Sequence, residues 1–170
     1  MAELKKTKIK KKEWYKIVAG SSLRSAFLGE TFMSEPNSML GRYISVNLAQ
    51  ITNDGKNQNM NLVFRINKVE NNMGIADVVG YEIMPSSIRR LVRKEKKKVE
   101  LSFVCVTSDN VKIRIKPIMI IKKTTKGSTE TALRKQSKEF LTKEIQKLTY
   151  ENFVFDIINY KLQDGLKNHL

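Results

Sequence analysis

Cysteine, histidine and long apolar runs are nearly missing from this chain, and each shortage excludes a class of function. Cys105 is the only cysteine in 170 residues, so an intrachain disulfide and any cysteine-based zinc cluster are excluded. It sits in the strand-like run Leu101-Ser102-Phe103-Val104-Cys105-Val106 and reads as a small buried hydrophobe. His169, the only histidine, is next to the C-terminal residue, where few chains are ordered. Ser-His-Asp and Cys-His catalysis are therefore excluded, and a histidine metal site is not expected. No apolar run exceeds that of Ile118-Met119-Ile120-Ile121, far short of a span, and no segment is both basic and amphipathic over several turns. A membrane partner is not expected. The basic N-terminus has no apolar stretch behind it and is not expected to act as a signal peptide, so a cytoplasmic location is expected. Acidic residues are scarce as well: 17 against 32 lysines and arginines, for a net charge of +15. Self-repulsion of that size is tolerable when a polyanion neutralises it, and nucleic acid is the commonest such partner.

The positive charge is densest in Ile88-Arg89-Arg90-Leu91-Val92-Arg93-Lys94-Glu95-Lys96-Lys97-Lys98. Pro85-Ser86-Ser87 opens a short helix there, and Ile88, Leu91 and Val92 give it one face to bury. Arg89, Arg90 and Arg93 fall off that stripe. A charge run alone reads as a solvated face, but one held between a helix and a strand loses less entropy on binding a polyanion. Residues 1–13 form an extended basic arm, with Lys5, Lys6, Lys8, Lys10, Lys11 and Lys12, expected to be disordered when free. Trp14 and Tyr15 lie beside Ile17 and Val18 and read as core anchors rather than as base-stacking groups. Residues 14–40 read as a wrapping segment, with little regular structure over 19–40.

From Gly41 the period becomes two. Ile44, Val46 and Leu48 share a face, as do Met60, Leu62, Phe64 and Ile66, and further strands are expected over 75–79, 99–107 and 111–121. Turns fall at 52–55, 71–74 and 108–110. In the last strand Val111, Ile113 and Ile115 face one way, while Lys112, Arg114 and Lys116 form a row of cations on the other, spaced to follow a phosphate backbone. Lys122, Lys123 and Lys126 make a basic loop whose Lys-Gly-Ser lacks the glycine spacing of a P-loop. The period then shifts to 3.6, with Leu133, Phe140, Leu141, Ile145 and Leu148 on one helix. A second helix, N-capped by Thr149, carries Phe153, Val154, Ile157 and Ile158. Residues 163–170 carry no strong signal.

The expected fold is therefore α+β, with 14–170 as a single globular domain. A small antiparallel curved sheet or β-barrel of about five or six strands spans 41–121. A short basic helix is inserted in it, and two C-terminal helices occupy 128–162. Asp54, Glu70, Asp77 and Glu82 are the carboxylates from which a two-metal nuclease site would have to be built, yet they are scattered singly and no motif ties them together. The cations lack interleaved aromatics, so base readout on single strands is not expected either. The profile is that of a protein holding structured RNA through its backbone.

Five stretches carry a more specific signal: Lys12-Glu13-Trp14-Tyr15-Lys16-Ile17-Val18-Ala19, Leu28-Gly29-Glu30-Thr31, Leu40-Gly41-Arg42, Gly80-Tyr81-Glu82-Ile83 and Ile88-Arg89-Arg90-Leu91-Val92-Arg93. In this order they closely resemble the archaeal and eukaryotic small-subunit ribosomal protein family S-three-Ae (e-S-one), over roughly residues 12–160, with the Gly-Glu-Thr form of the archaeal-type members. The resemblance implies a structural protein of the small-subunit platform, near the 3′ end of small-subunit rRNA and the mRNA exit site. It implies neighbouring platform proteins and mRNA near the exit as partners, and no catalysis, cofactor, metal or small-molecule substrate. It also implies a small β-barrel with flanking helices. The family's Gly-His-Glu-Leu falls on Gly80, Tyr81, Glu82 and Ile83, and its arginine-rich helix on 88–94. Met84-Pro85 stands where the family has a threonine opening that helix.

The expected RNA-contacting set is Lys5, Lys6, Lys8, Lys10, Lys11, Lys12, Arg42, Arg89, Arg90, Arg93, Lys94, Lys96, Lys97, Lys98, Lys112, Arg114, Lys116, Lys122, Lys123 and Lys126. The competing assignment is a free RNA-binding module outside the ribosome, a chaperone or translation factor.

Overall fold

The fold comes from a computed structural model that describes residues 11–20, 23, 25–122 and 125–170. The chain divides into two compact units, residues 1–84 and 85–170.

The first unit is one five-stranded sheet. Its strands are β1 (Glu13–Ala19), β2 (Phe27–Met33), β3 (Tyr43–Asn47), β4 (Met60–Glu70) and β5 (Met73–Ile83), in the spatial order β2-β1-β5-β4-β3. The period-two alternation of β4 and β5 puts Leu62, Phe64, Ile66, Ala76 and Val78 on one buried face. Asn71 and Asn72 both adopt positive φ, as a tight hairpin turn requires, and asparagine tolerates that conformation better than most residues. Tyr15, Ile17 and Ala19 extend the buried face onto β1, and Met39, Val46 and Leu48 are buried with it. Leu48 is not a strand residue. The Asn47 side chain accepts from Ala49 N at 2.9 Å, which caps α1 (Leu48–Thr52) and ends β3 one residue early.

Three expectations are corrected here. The sheet is open, with β2 and β3 as its edges, rather than closed into a barrel. Residues 19–40 are not irregular throughout: they hold β2 and a 3-10 helix, Pro36–Met39, and β1 leads into them. The antiparallel β1–β2 register shifts between Ile17 and Val18, leaving Leu28 as an extra residue beside Gly29 (φ 152), so the two strands do not show one clean alternation. Finally, only one of the two paired aromatics is a core anchor. Tyr15 is buried, whereas its strand neighbour Trp14 points the other way and is 67 % exposed.

The second unit opens with α2 (Pro85–Leu91). Leu91, expected on its buried stripe, is exposed. The expected strand over 111–121 is two strands, β8 (Lys112–Ile115) and β9 (Ile118–Ile121), because Pro117 supplies no N–H to a continuous ladder. Its counterpart over 99–107 likewise separates into β6 (Lys97–Glu100) and β7 (Phe103–Val106). β6 pairs with β9 and β7 with β8, giving two two-stranded sheets. Three helices follow: α3 (Gly127–Lys147), α4 (Tyr150–Ile158) and α5 (Lys161–His169). Thr149 caps α4 by accepting from Asn152 N at 3.5 Å, and Asp109 of the β7–β8 turn accepts from Tyr150 N at 2.9 Å.

The core of this unit joins Phe103 and Cys105 of β7 to Leu141 and Ile145 of α3 and Phe153 of α4. The third helix, α5, lacked a sequence signal. It packs Leu162 and Leu166 on this cluster, and Gly165 admits Phe140 so closely that an added Cβ would lie 3.4 Å from its ring. The His169 ring stacks on Phe140 at 4.8 Å.

Burial of Cys105 raises its thiol above the ordinary value of 9.0, because the thiolate loses solvation there. The folded chain thus holds this proton more tightly than the unfolded one. The resulting stability is complete below pH 9.0 and declines as pH rises through the folded value. Maleimide labelling at neutral pH should run at least about tenfold slower in the native chain than in urea, since the reactive thiolate is both scarce and shielded. Equal rates would show that the core between β7 and α3 is open.

Candidate nucleic-acid interface

The expected cations occupy distinct settings. Lys11 and Lys12 are exposed just before β1. Lys5, Lys6, Lys8 and Lys10 lie outside the described residues, as does Lys123. Arg42 is exposed beside Gly41, whose φ of 78 turns the chain into β3.

In the second unit, Arg89 and Arg90 are exposed on the last turn of α2. The helix ends at Leu91, earlier than the 88–94 span expected for it, and Arg93, Lys94 and Lys96 belong to the turn that follows. That turn is ordered by Lys96 N donating to Arg93 O at 3.0 Å, with Glu95 at φ 77. The charges are thereby held on short, hydrogen-bonded backbone. β6 and β9 pair Lys97 with Ile121, so the register continued by one step sets Lys96 opposite Lys122. Lys126, the exposed N-cap of α3, lies four residues beyond Lys122. The 93–96 turn and Lys122, far apart in sequence, are in this way drawn toward one end of the β6–β9 pair.

Lys97 and Lys98 differ from their neighbours. The Lys97 ammonium forms an ion pair with Glu130, whose carboxylate is buried and also lies 3.7 Å from Arg134. Lys98 pairs with Glu100. Both lysines are half-buried and already neutralised by their partners, and Lys97 ties β6 to the first turn of α3.

The row Lys112, Arg114 and Lys116 is exposed as expected, but the first two lie on β8 and Lys116 lies past its end. Across the ladder from Arg114 and Lys112 stand Val104 and Val106, both exposed. Sequence reasoning missed further exposed cations, Lys135, Lys138 and Lys143 of α3. Their positions off the Leu133–Phe140–Leu141 stripe were the available signal.

Among the described residues no three His, Cys, Asp or Glu side chains converge, Asp54, Glu70, Asp77 and Glu82 included. Asp54 instead accepts from Lys56 N at 3.0 Å, and Asp77 from the Asn67 side chain at 2.8 Å. No described helix is long and apolar enough to cross a membrane.

A model of the Ribosomal S3Ae family matches residues 2–170. The chain belongs to this family. Among curated relatives it is 30% identical over 155 residues to the small ribosomal subunit protein eS1 of Halorubrum lacusprofundi, covering 91% of this chain and 72% of that one. The eS1 protein of Nanoarchaeum equitans is 30% identical over 158 residues, covering 93% and 80%. That of Haloarcula marismortui is 28% identical over 155 residues, covering 91% and 73%. These relatives make the chain an archaeal-type member of the S3Ae family, which is structural, so the chain is not an enzyme.

Two of the stretches that resemble the S3Ae family mark backbone devices. Leu28-Gly29-Glu30-Thr31 spans the β2 bulge, and Leu40-Gly41-Arg42 the left-handed turn before β3.

Proposed function

We propose that this chain is a structural constituent of the small ribosomal subunit, binding rRNA through exposed cations on ordered backbone. The observation that carries the proposal is the S3Ae family match across residues 2–170, in a chain of net charge +15. Arg89, Arg90, Arg93, Lys94 and Lys96, joined by Lys122 and Lys126, form the main contact surface. The Lys112–Arg114–Lys116 row, Arg42, Lys11 and Lys12 add further phosphate contacts, and the lysines of the N-terminal arm and Lys123 complete the set, while Lys97 and Lys98 drop out of it because Glu130 and Glu100 already hold them. The mechanism is charge neutralisation with release of counterions, and the hydrogen-bonded turns fix where each cation meets a phosphate. The site on the subunit is the platform near the mRNA exit and the 3′ end of the small-subunit rRNA, beside neighbouring platform proteins. A location in cytoplasmic ribosomes goes with that assignment.

Sedimentation of a lysate through sucrose at moderate and at high salt tests the proposal. Co-migration with small subunits that survives high salt is expected, because charges embedded in folded rRNA are poorly screened. Release at high salt, or a peak at the top of both gradients, would mean a free RNA-binding factor instead.

A further inference from the structure

The outer face of the β1–β2 ladder carries a feature that the charge runs do not explain. Trp14 and Phe32 are cross-strand partners, with ring centroids 5.1 Å apart and planes tilted by 41°. They are 67 % and 50 % exposed, which leaves much of each ring open to solvent. Water-facing aromatics on a rigid strand gain nothing for the core, and here Tyr15 and Ile17 on the opposite face already anchor β1. Positive charge flanks Trp14 along the strand. Lys11 and Lys12 immediately precede β1, and Lys16 projects from the same face as Trp14, two residues or about 7 Å along the strand. Glu30 stands opposite Lys16 in the ladder, so Lys11 and Lys12 contribute the larger part of the attraction.

A protein partner would also use exposed tryptophan and phenylalanine. The flanking lysines favour a ligand that combines flat π surfaces with regularly spaced negative charge, which is the chemistry of an unpaired nucleic-acid strand. We propose that the outer face of β1 and β2 is a stacking platform for an unpaired RNA base, with Trp14 and Phe32 taking the base and Lys11, Lys12 and Lys16 the adjacent phosphates. The inference rests on the RNA-binding function proposed above and adds a second mode to it, contact with a base rather than the backbone alone. It was hidden in the sequence because Trp14 beside Tyr15 reads as a pair of core anchors until the strand sends them to opposite faces and sets Trp14 against Phe32.

Trp14 is the only tryptophan, so its emission reports on this face alone. The full chain is titrated with a single-stranded oligoadenylate and, separately, with inorganic polyphosphate, which has the charge but no bases. Oligoadenylate is expected to quench Trp14 strongly, while polyphosphate binds with little quenching. By anisotropy of labelled oligoadenylate, Trp14→Ala and Phe32→Ala should each weaken binding about tenfold. The salt slope should stay unchanged, since no cation is removed. Trp14→Tyr, which keeps a ring, should recover most of the affinity, and both positions are exposed enough for the variants to fold.

Equal quenching by the two polyanions, or native affinity in Trp14→Ala, overturns the stacking platform while leaving backbone binding intact. Loss of small-subunit co-sedimentation by Trp14→Ala, with its oligoadenylate affinity unchanged, also overturns it and assigns the face to a protein neighbour. Failure of the native chain to bind either polyanion would instead sink the RNA-binding function itself.

Discussion

Phe64→Ala should lower the unfolding free energy of the 1–84 unit by about 3–5 kcal/mol. Phe64 is fully buried and sits mid-strand on β4, between Ile44 of β3 and Val78 of β5 in the ladder. Truncation removes a large apolar surface and leaves a cavity that neighbours on a hydrogen-bonded sheet cannot easily fill. The loss is a large share of the roughly 5–15 kcal/mol that holds a typical domain together. A urea titration followed through Trp14, which lies in the same sheet, measures it. The adjacent Arg65 points to the exposed face and lies over the Tyr43 ring at 5.9 Å, so Arg65→Ala should cost no more than about 1 kcal/mol. A shift below about 1 kcal/mol for Phe64→Ala would mean that the inner face of the sheet is not packed as described.

That contrast between residues 64 and 65 was legible in the sequence, because a half-buried strand writes its burial into an alternation of period two. The 75–79 part of β5, the Asn71-Asn72 turn and the apolar stripes of α3 and α4 were legible as well. The β1–β2 ladder was not legible. Its bulge at Leu28 changes which residues face inward partway along, and Trp14 beside Tyr15 looks like a pair of anchors until strand geometry sends them to opposite faces. Closure was overcalled for a related reason. Alternation fixes which face is buried, but not whether the edges β2 and β3 meet, and here they do not. Pro117 did announce a break in its strand, and the apolar residues on both sides masked it. In α5, Gly165 lowers helix propensity, and its role is fixed by Phe140 on a different helix. The cations themselves were read correctly as runs. Which of them are already paired depends on contacts such as Lys97 with Glu130, 33 positions away in sequence and invisible to local pattern.

That distinction predicts opposite outcomes for the exposed cations of one run and for Lys97, which Glu130 holds. Replacing Arg89, Arg93 and Lys96 together with glutamine should weaken RNA binding by on the order of a hundredfold at moderate salt, taking roughly 1 kcal/mol per phosphate contact. The dependence of log K on log salt should flatten by about 3, one for each lost contact. All three side chains are exposed, so stability should change little. Lys97→Gln removes a cation from the same run with the reverse effect. Its charge already serves the buried carboxylate of Glu130, and the substitution would leave that carboxylate to Arg134, 3.7 Å away. Because Lys97 is itself partly exposed, solvent screens the pair, and the expected stability loss is about 1 kcal/mol, with a change in salt slope well below 1. Salt-dependent anisotropy on a structured RNA, together with thermal unfolding of each variant, separates the two. An unchanged slope in the triple variant would remove the α2 turn from the interface. A slope change of about 1 in Lys97→Gln would mean that RNA draws Lys97 away from Glu130, turning an internal tie between β6 and α3 into one of the phosphate contacts.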